Sequence, residues 1–206
     1  EICACLVGSE MCIRDRVINF YNERRKQLLD VVPNAGHLGV ADLERDFNVT
    51  VVTQNVDNLH ERAGSTHVIH LHGELTKVCS SRDPYNPHFV KELAPEEYEV
   101  KLGDKAGDGT QLRPFIVWFG ESVPEIETAI RYVEQADIFV IIGTSLNVYP
   151  AAGLLNYVPR AAEVYLIDPK PVDTHVMRPI HVIQKGASEG VKELKALLTV
   201  TQPPLP

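Results

Sequence analysis

The sequence predicts an α/β fold, a parallel sheet with helices over both faces and a small inserted subdomain. Three observations carry this. Near-continuous apolar runs such as "DIFVIIG" and "EVYLID" alternate with amphipathic stretches of helical period, the pattern of strands buried on both faces. Polar clusters ("TQNVDN", "HLHGE", "WFGES", "GTSLN", "LIDPK") recur at the carboxyl ends of these runs, where open parallel sheets bind ligands. From Glu74 to Arg113 the alternation dissolves into Pro, Gly and charge, which marks an insert with little core of its own.

Taken in order, Val17 to Asp30 has apolar residues at 17, 18, 20, 21, 28 and 29 with a charged opposite face, a helix stopped near Pro33. "VTVVTQN" is a short buried strand running into a loop. "DNLHERAG" gives one or two helical turns, with Asp57 as cap and Gly64 as stop. "HVIHLHG" is the next strand. After the insert come the strand "FIVWFG", the helix "VPEIETAIRYVEQA" with Pro in its first turn, and the fully buried strand "DIFVIIGTS". "PAAGLLNYV" is helical, "EVYLID" and "IHVIQKG" are strands, and "SEGVKELKALL" is a last helix capped by Ser188. The tail 201–206, "TQPPLP", is expected to be disordered.

Bulk properties narrow the function. Hydrophobic residues make up 44% and charged residues 23%, an ordinary globular balance. A net charge of −8 argues against a nonspecific nucleic-acid or anionic-membrane binder. No apolar run approaches the roughly 18 residues of a membrane-spanning helix. Beyond residue 16 the only cysteine is Cys79, which allows neither an internal disulfide nor a cysteine-rich zinc site, so a cytoplasmic setting is expected.

The chemistry sits at strand ends. Gln54, Asn55 and Asp57 follow a strand, where amides and a carboxylate can bond a ribose or a carboxamide, or equally cap a loop. His70 and His72 lie two apart and point the same way from a strand, which suits a metal pair or one catalytic and one structural His. Gly73 after His72 permits close approach of a ligand and makes His72 the better candidate base. Gly143, Thr144 and Ser145 are small enough for backbone and hydroxyls to touch a phosphate or ribose, though many turns look alike. Tyr21 and Arg24 share a helix face and could clamp a carboxylate; the alternative is an amphipathic helix with a snorkelling Arg.

Read together, "TQNVDNLHERAG", "LHGEL", "VWFGE", "GTSLNVYPAAG" and "KGAS" closely resemble the sirtuin (Sir2) family of NAD-dependent protein lysine deacylases, from about Val17 to about Leu198. The resemblance implies a Rossmann-like sheet. It makes His72 the general base on a ribose hydroxyl, after the acyl oxygen has displaced nicotinamide from NAD, with O-acyl-ADP-ribose as product. Gln54, Asn55 and Asp57 match the nicotinamide and ribose contacts, and Gly143, Thr144 and Ser145 the ribose and phosphate loop. Asp168 and Ala187 match the adenosine end, with Asp168 where Asn is usual, so a backbone contact is expected there. Val117, Trp118, Phe119, Gly120 and Glu121 match the segment against which an acyl-lysine peptide lies as an added strand. Tyr21 and Arg24 match the pair of the class III, bacterial-type enzymes, in which a buried Arg and a Tyr hydroxyl hold a succinyl, malonyl or glutaryl carboxylate.

Two departures from the family pattern matter. The insert carries one cysteine where most sirtuins have four zinc ligands, and His88 cannot complete a set, so no zinc is expected. The family's first strand and Gly-Ala-Gly NAD loop are absent from these residues, so they are expected to be an N-terminally truncated, inactive fragment of a parent that is itself a working deacylase. A dehydrogenase would need a Gly-x-Gly-x-x-Gly turn, and none occurs. A non-catalytic acyl-lysine reader is the second alternative, because half of the NAD cradle is missing. Residues 1–16, "EICACLVGSEMCIRDR", back-translate to a string resembling a transposase-based sequencing adapter, and are expected to be an artefact joined to the catalytic-domain fragment 17–200. A monomer is expected.

Overall fold

A computed structural model describes residues 11–144, 148–172 and 178–201. They fall into two compact units: the first takes in the chain to Val32, Thr53–Asn58 and His70–Pro124, and the second Pro33–Val52, Leu59–Ile69 and the chain from Glu125. Of the tail 201–206 expected to be disordered, Thr201 instead ends the last helix, and 202–206 lie outside the described residues.

The first unit joins a long helix to an antiparallel sheet. Helix α1 spans Met11–Asp30, beginning before the predicted Val17. Its buried stripe is Val17, Ile18, Tyr21, Asn22, Arg25 and Leu28, whereas Phe20 and Leu29 are exposed. The apolar pattern alone therefore misplaces the face, because two polar residues lie on the buried side. They are tolerated there because backbone partners meet them. Asn22 Nδ2 donates to Val100 O at 2.8 Å and Asn22 Oδ1 accepts from Val100 N at 3.0 Å. Arg25 donates to Leu75 O at 2.8 Å, Tyr98 O at 3.1 Å and Asn22 Oδ1 at 2.7 Å. Burial pulls the Arg25 pKa down to about 10, partly offset by Tyr21.

Strand β3 (Gly73–Ser80) is central in a three-stranded antiparallel sheet, flanked by β4 (Lys91–Glu92) and β5 (Leu112–Ile116). This overturns the expectation of an insert with little core. Val78 and Cys79 are wholly buried, and Ile18, Val78 and Val100 form a cluster closed by Leu93 and Leu112. The sequence hides this strand because "GELTKVCS" alternates poorly. Its neighbours are charged or Pro-bearing, and only cross-strand pairing buries it. At its end the buried Ser80 Oγ donates to Asp108 Oδ2 at 2.7 Å and lies 2.9 Å from Thr110 Oγ1. It also accepts from the backbone N–H of Arg82 and Asp83, both at 3.0 Å.

The second unit holds the parallel sheet. Strands β6 (Ile138–Ile142), β7 (Glu163–Ile167) and β8 (His181–Ile183) pair in parallel with β7 in the middle. Val164 and Leu166 on one face of β7, and Tyr165 and Ile167 on the other, are all buried, so β7 is covered on both sides. β6 is less enclosed than predicted: only Ile141 is buried and its other residues are half-buried. Helix α5 (Ala187–Thr201) starts one residue earlier than expected, so Ser188 lies inside it and is not its cap. It packs Val191, Leu194 and Leu198 onto Tyr165 and Ile167. Each such apolar side chain contributes about 1.5–3 kcal/mol on burial. A Cβ at Gly190 would sit 2.2 Å from Ile167 Cγ2, so only glycine lets α5 approach this closely.

Helix α2 (Ala35–Asp42) is absent from the sequence reading, yet Asn34 caps it, accepting from Gly36 N at 2.9 Å and His37 N at 3.2 Å. Val40 of α2 joins the same core, and Lys195 of α5 donates to Asp42. Helix α4 (Ile126–Val133) buries Ala129 and Val133, and Ala151–Tyr157 forms 3₁₀ turns in place of a regular helix. Strands β1 (Val51–Thr53) and β2 (Val68–His70) pair in a separate two-stranded sheet. Between them α3 (Leu59–Ala63) ends at Gly64, as predicted, but starts at Leu59, which puts Asn58 and not Asp57 directly before it.

The Ser80–Asp108–Thr110 cluster predicts an acid-sensitive insert. The Thr110 and Ser80 hydroxyls hold the Asp108 pKa down at about 2, against 3.8 ordinarily. A carboxylate depressed in the folded state stabilises above its unfolded pKa, and the effect is lost as pH falls from 3.8 towards 2. Asp108→Asn should therefore lower the melting temperature at neutral pH and flatten its fall across that window, as thermal denaturation at stepped pH will show.

Candidate active site

The candidate site in the first unit is built where β2 turns into β3. The strand stops at His70, so His72 lies in the turn Leu71–His72 and not on a strand as predicted. The two histidines nevertheless face the same loop. Nδ1 of His70 lies 3.2 Å from Asn55 O, and Nδ1 of His72 lies 3.2 Å from Gln54 O. A carbonyl oxygen only accepts, so each Nδ1 carries its proton, and in the neutral ring Nε2 is left as the basic nitrogen. The loop is fixed in turn: Leu71 N donates to Thr53 O at 2.9 Å, Asn55 N to Thr53 Oγ1 at 3.0 Å, and Leu75 N to Val56 O at 2.7 Å. Gln54 and Asp57 are half-buried and Asn55 is exposed.

Gly73 serves a different purpose from the one predicted. Its φ is +82°, and an added Cβ would lie 2.1 Å from Phe115 O. The close approach is that of strand β5, not of a ligand. It sets Gly73 opposite Ile116 and lets His72 O accept from Val117 N at 2.9 Å. The catalytic candidate and the segment after β5 are thus pinned back to back.

That segment is not the strand extension expected from "FIVWFG". β5 ends at Ile116, Glu121 N donates to Trp118 O at 3.0 Å, and Gly120 has φ +89°, so 118–121 is a turn. Phe119 is 73% exposed at its tip, an apolar ring open to a docking chain. The turn is braced by Arg113, which the sequence reading did not single out. Its guanidinium grips Glu121 through both oxygens at 2.7 and 2.9 Å, and donates to Ile116 O at 2.7 Å. It also lies 3.6 Å from the Trp118 ring centroid. Burial pushes the Glu121 carboxyl up, but the Arg113 guanidinium and the Trp118 N–H outweigh it and hold the pKa below the usual range. A signal was present: an Arg inside an apolar strand, with a carboxylate eight residues on, needs a buried partner.

Tyr21 is buried on α1 and its hydroxyl accepts from Trp118 Nε1 at 3.2 Å. Arg24 is exposed, donates to Gln27 Oε1 at 3.1 Å and lies 5.1 Å from the Phe20 ring centroid. The buried Arg expected beside Tyr21 is therefore not Arg24; the buried guanidinium on this helix belongs to Arg25, which binds backbone.

In the second unit, Gly143 N donates to Ile167 O at 2.9 Å, so the end of β6 is tied to β7. Gly143 is exposed, with open space where a Cβ would stand, and Thr144 is half-buried beside it. Ser145 lies outside the described residues. The Asp168 carboxylate accepts from Lys170 N at 2.8 Å and shapes the turn after β7. Ala187 opens α5, its Cβ 3.1 Å from where a Cβ of Gly36 would stand. Burial pushes the Cys79 thiol up to about 11, its Sγ donates to Pro114 O, and no group of three metal-ligating side chains occurs among the described residues.

The second unit is an α/β unit built on a parallel sheet with polar strand ends, and the first holds an antiparallel sheet and a histidine bonded to a loop carbonyl. The Sir2 family model matches residues 7–150, and the chain belongs to that family, with its Rossmann-like α/β fold. It is 84% identical over 182 residues to an NAD-dependent protein deacylase of Bacteroides thetaiotaomicron, covering 88% of this chain and 78% of that protein. A mutant Sir2 homologue in complex with 2'-O-acetyl ADP ribose superposes with a TM-score of 0.78 at 34% identity, covering 93% of this chain and 77% of the other. A Sir2 protein bound to a propionylated peptide gives 0.70 at 26% identity, covering 89% and 80%.

The Gly73 contact makes a direct prediction. Gly73→Ala must escape both a left-handed φ and the Phe115 carbonyl, so it should cost at least about 2 kcal/mol of stability in urea unfolding.

Proposed function

We propose that this chain is the core of an NAD-dependent protein-lysine deacylase that prefers acidic acyl groups, succinyl or malonyl, on lysine. The observation that carries the reading is His72. Its Nδ1–H donates to Gln54 O, which leaves Nε2 as the basic ring nitrogen, and its backbone carbonyl accepts from Val117 N, next to the segment read as receiving the peptide. The Bacteroides relative's activity and the peptide and ADP-ribose complexes of the structural neighbours support the same assignment.

NAD as co-substrate supplies an electrophilic ribose carbon with nicotinamide as leaving group. Toward it, Gln54, Asn55 and Asp57 offer amide and carboxylate partners for the carboxamide and ribose. Gly143, Thr144 and Ser145 offer small residues and hydroxyls for the ribose and phosphates, and the Asp168 backbone and Ala187 offer contacts for the adenosine end. His72 withdraws a ribose hydroxyl proton through Nε2. Val117, Trp118, Phe119 and Gly120 receive the peptide, and Tyr21 with Arg24 receives the acyl carboxylate. The exposed Arg24 would swing from Gln27 to do so. No zinc is required in this reading, since Ser80, Asp108 and Thr110 tie the end of the insert by hydrogen bonds. Stoichiometric zinc in the purified protein would overturn that part.

A second reading of these 206 residues is an acyl-lysine binder with little turnover. Two measurements on one peptide separate the readings. Calorimetry on the chain should show succinyl-lysine peptide binding with weak or no NAD binding. Fusing the N-terminal segment of the Bacteroides relative should restore NAD-dependent desuccinylation, followed by mass spectrometry. In that fusion His72→Ala should lose roughly 10²–10⁴-fold in kcat with peptide affinity kept. A fusion that folds and binds NAD yet removes no acyl group would overturn the enzyme reading.

A further inference from the structure

The loop that holds His72 is itself held by a side chain to which the reading above gives no task. Thr53 closes strand β1 and is buried, at 7% exposure. Its hydroxyl oxygen accepts from Asn55 N at 3.0 Å. Asn55 N–H and Gln54 C=O belong to one peptide unit, planar and trans, so the two groups point in opposite directions. Anchoring the N–H at Thr53 Oγ1 therefore aims the carbonyl the other way. The carbonyl aimed in this manner is the one 3.2 Å from His72 Nδ1.

Thr53 also fixes the other side of that bond. Its backbone carbonyl accepts from Leu71 N at 2.9 Å, one residue before His72. Asn55 O, one peptide further along the loop, lies 3.2 Å from His70 Nδ1. The loop and the histidine turn are closed on each other around Thr53.

What depends on this closure is the ring tautomer. A neutral imidazole carries one N–H, and in water Nε2–H is the more populated of its two forms. His72 is committed to the other form, because a carbonyl only accepts, and that form leaves Nε2 basic. If the Gln54 carbonyl turns away, Nδ1–H loses this partner and the ring returns to Nε2–H. That form has no lone pair on the nitrogen assigned as base.

We propose, resting on His72 as the general base argued above, that Thr53 is a positioning residue. Its hydroxyl fixes the peptide between Gln54 and Asn55, so that Gln54 O selects the Nδ1–H tautomer of His72. The role belongs to the hydroxyl oxygen, so exchanging it for a methyl group of similar shape separates positioning from packing. Val suits a strand, and Asn55 is exposed, so its released N–H meets water and the fold is kept.

Two readouts test the role. In the 206-residue chain, nitrogen-15 spectra of labelled histidine rings report the tautomer. Loss of one signal in His72→Ala assigns that ring among the eight histidines. In the neutral wild-type ring the proton should sit on Nδ1. Thr53→Val should move it mainly to Nε2, and Thr53→Ser, which keeps the oxygen, should hold the wild-type form. Slow exchange of the Leu71 amide should persist in both variants, because its bond is to the Thr53 backbone. In the N-terminal fusion, Thr53→Val should lower kcat about tenfold at unchanged peptide KM, and Thr53→Ser should keep most of the wild-type rate. A wild-type ring in the Nε2–H form, or a Thr53→Val ring that stays Nδ1–H, overturns the positioning role. So does a Thr53→Val chain that unfolds or loses Leu71 protection, since the hydroxyl then holds the fold and not the carbonyl. A tautomer that switches as expected while the fusion keeps its kcat overturns His72 as the base instead, with the Thr53 contact confirmed.

Discussion

The first unit depends on the contact between Gly73 and the Phe115 carbonyl. At 2.1 Å from where a Cβ would stand, the two backbones leave no room for a side chain, and φ is in a region that L residues avoid. Because β3 meets β5 there, His72 O reaches Val117 N, and everything on either side inherits its position. The histidine ring is then placed by Gln54 O and the turn 118–121 by Arg113. A single missing methyl group thus ties the candidate base to the surface that would present the substrate.

Two guanidinium groups are buried in this unit, Arg25 at 3% and Arg113 at 8% exposure. Arg25 donates to the Leu75 and Tyr98 carbonyls and to Asn22 Oδ1, whereas Arg113 divides its donors between the Glu121 carboxylate and the Pro114 and Ile116 carbonyls. An ion of this kind contributes little net stability, since desolvation offsets what the bonds return, but it penalises every arrangement that leaves the donors unpaired. Arg25 selects the seat of α1 against Leu75 and Tyr98, and Arg113 selects the shape of the docking turn. Ser80, Asp108 and Thr110 do comparable work with neutral hydroxyls and one carboxylate at the end of the insert.

The parallel sheet was legible because its strands are short apolar runs, and their period and spacing need no tertiary information. The elements that were missed share a different physics. Strand β3 is buried by its partners and not by its own composition, and α2 is a short helix of small residues announced only by its cap, Asn34. The buried face of α1 was misjudged because Asn22 and Arg25 are polar by type and buried by circumstance. Gly73 was rightly read as a point of close approach, but what approaches is β5.

By itself the sequence determined the α/β alternation of the second unit, the family, and the identity of His72, Gln54, Asn55 and Asp57 as residues gathered at strand ends. The alternation and the strand-end residues follow from local pattern and residue chemistry, which a linear chain carries in full, and the family from the resemblance of its motifs read together. Only the tertiary structure decided that His72 stands in a turn with Nδ1 committed to a carbonyl. It also decided that Arg113 grips Glu121 beneath Trp118, and that the buried arginine of α1 is Arg25 and not Arg24. The reason is that a hydrogen-bond partner or a buried face belongs to pairs of residues brought together from distant positions, 97 apart for Tyr21 and Trp118. No local pattern encodes which pairs will meet.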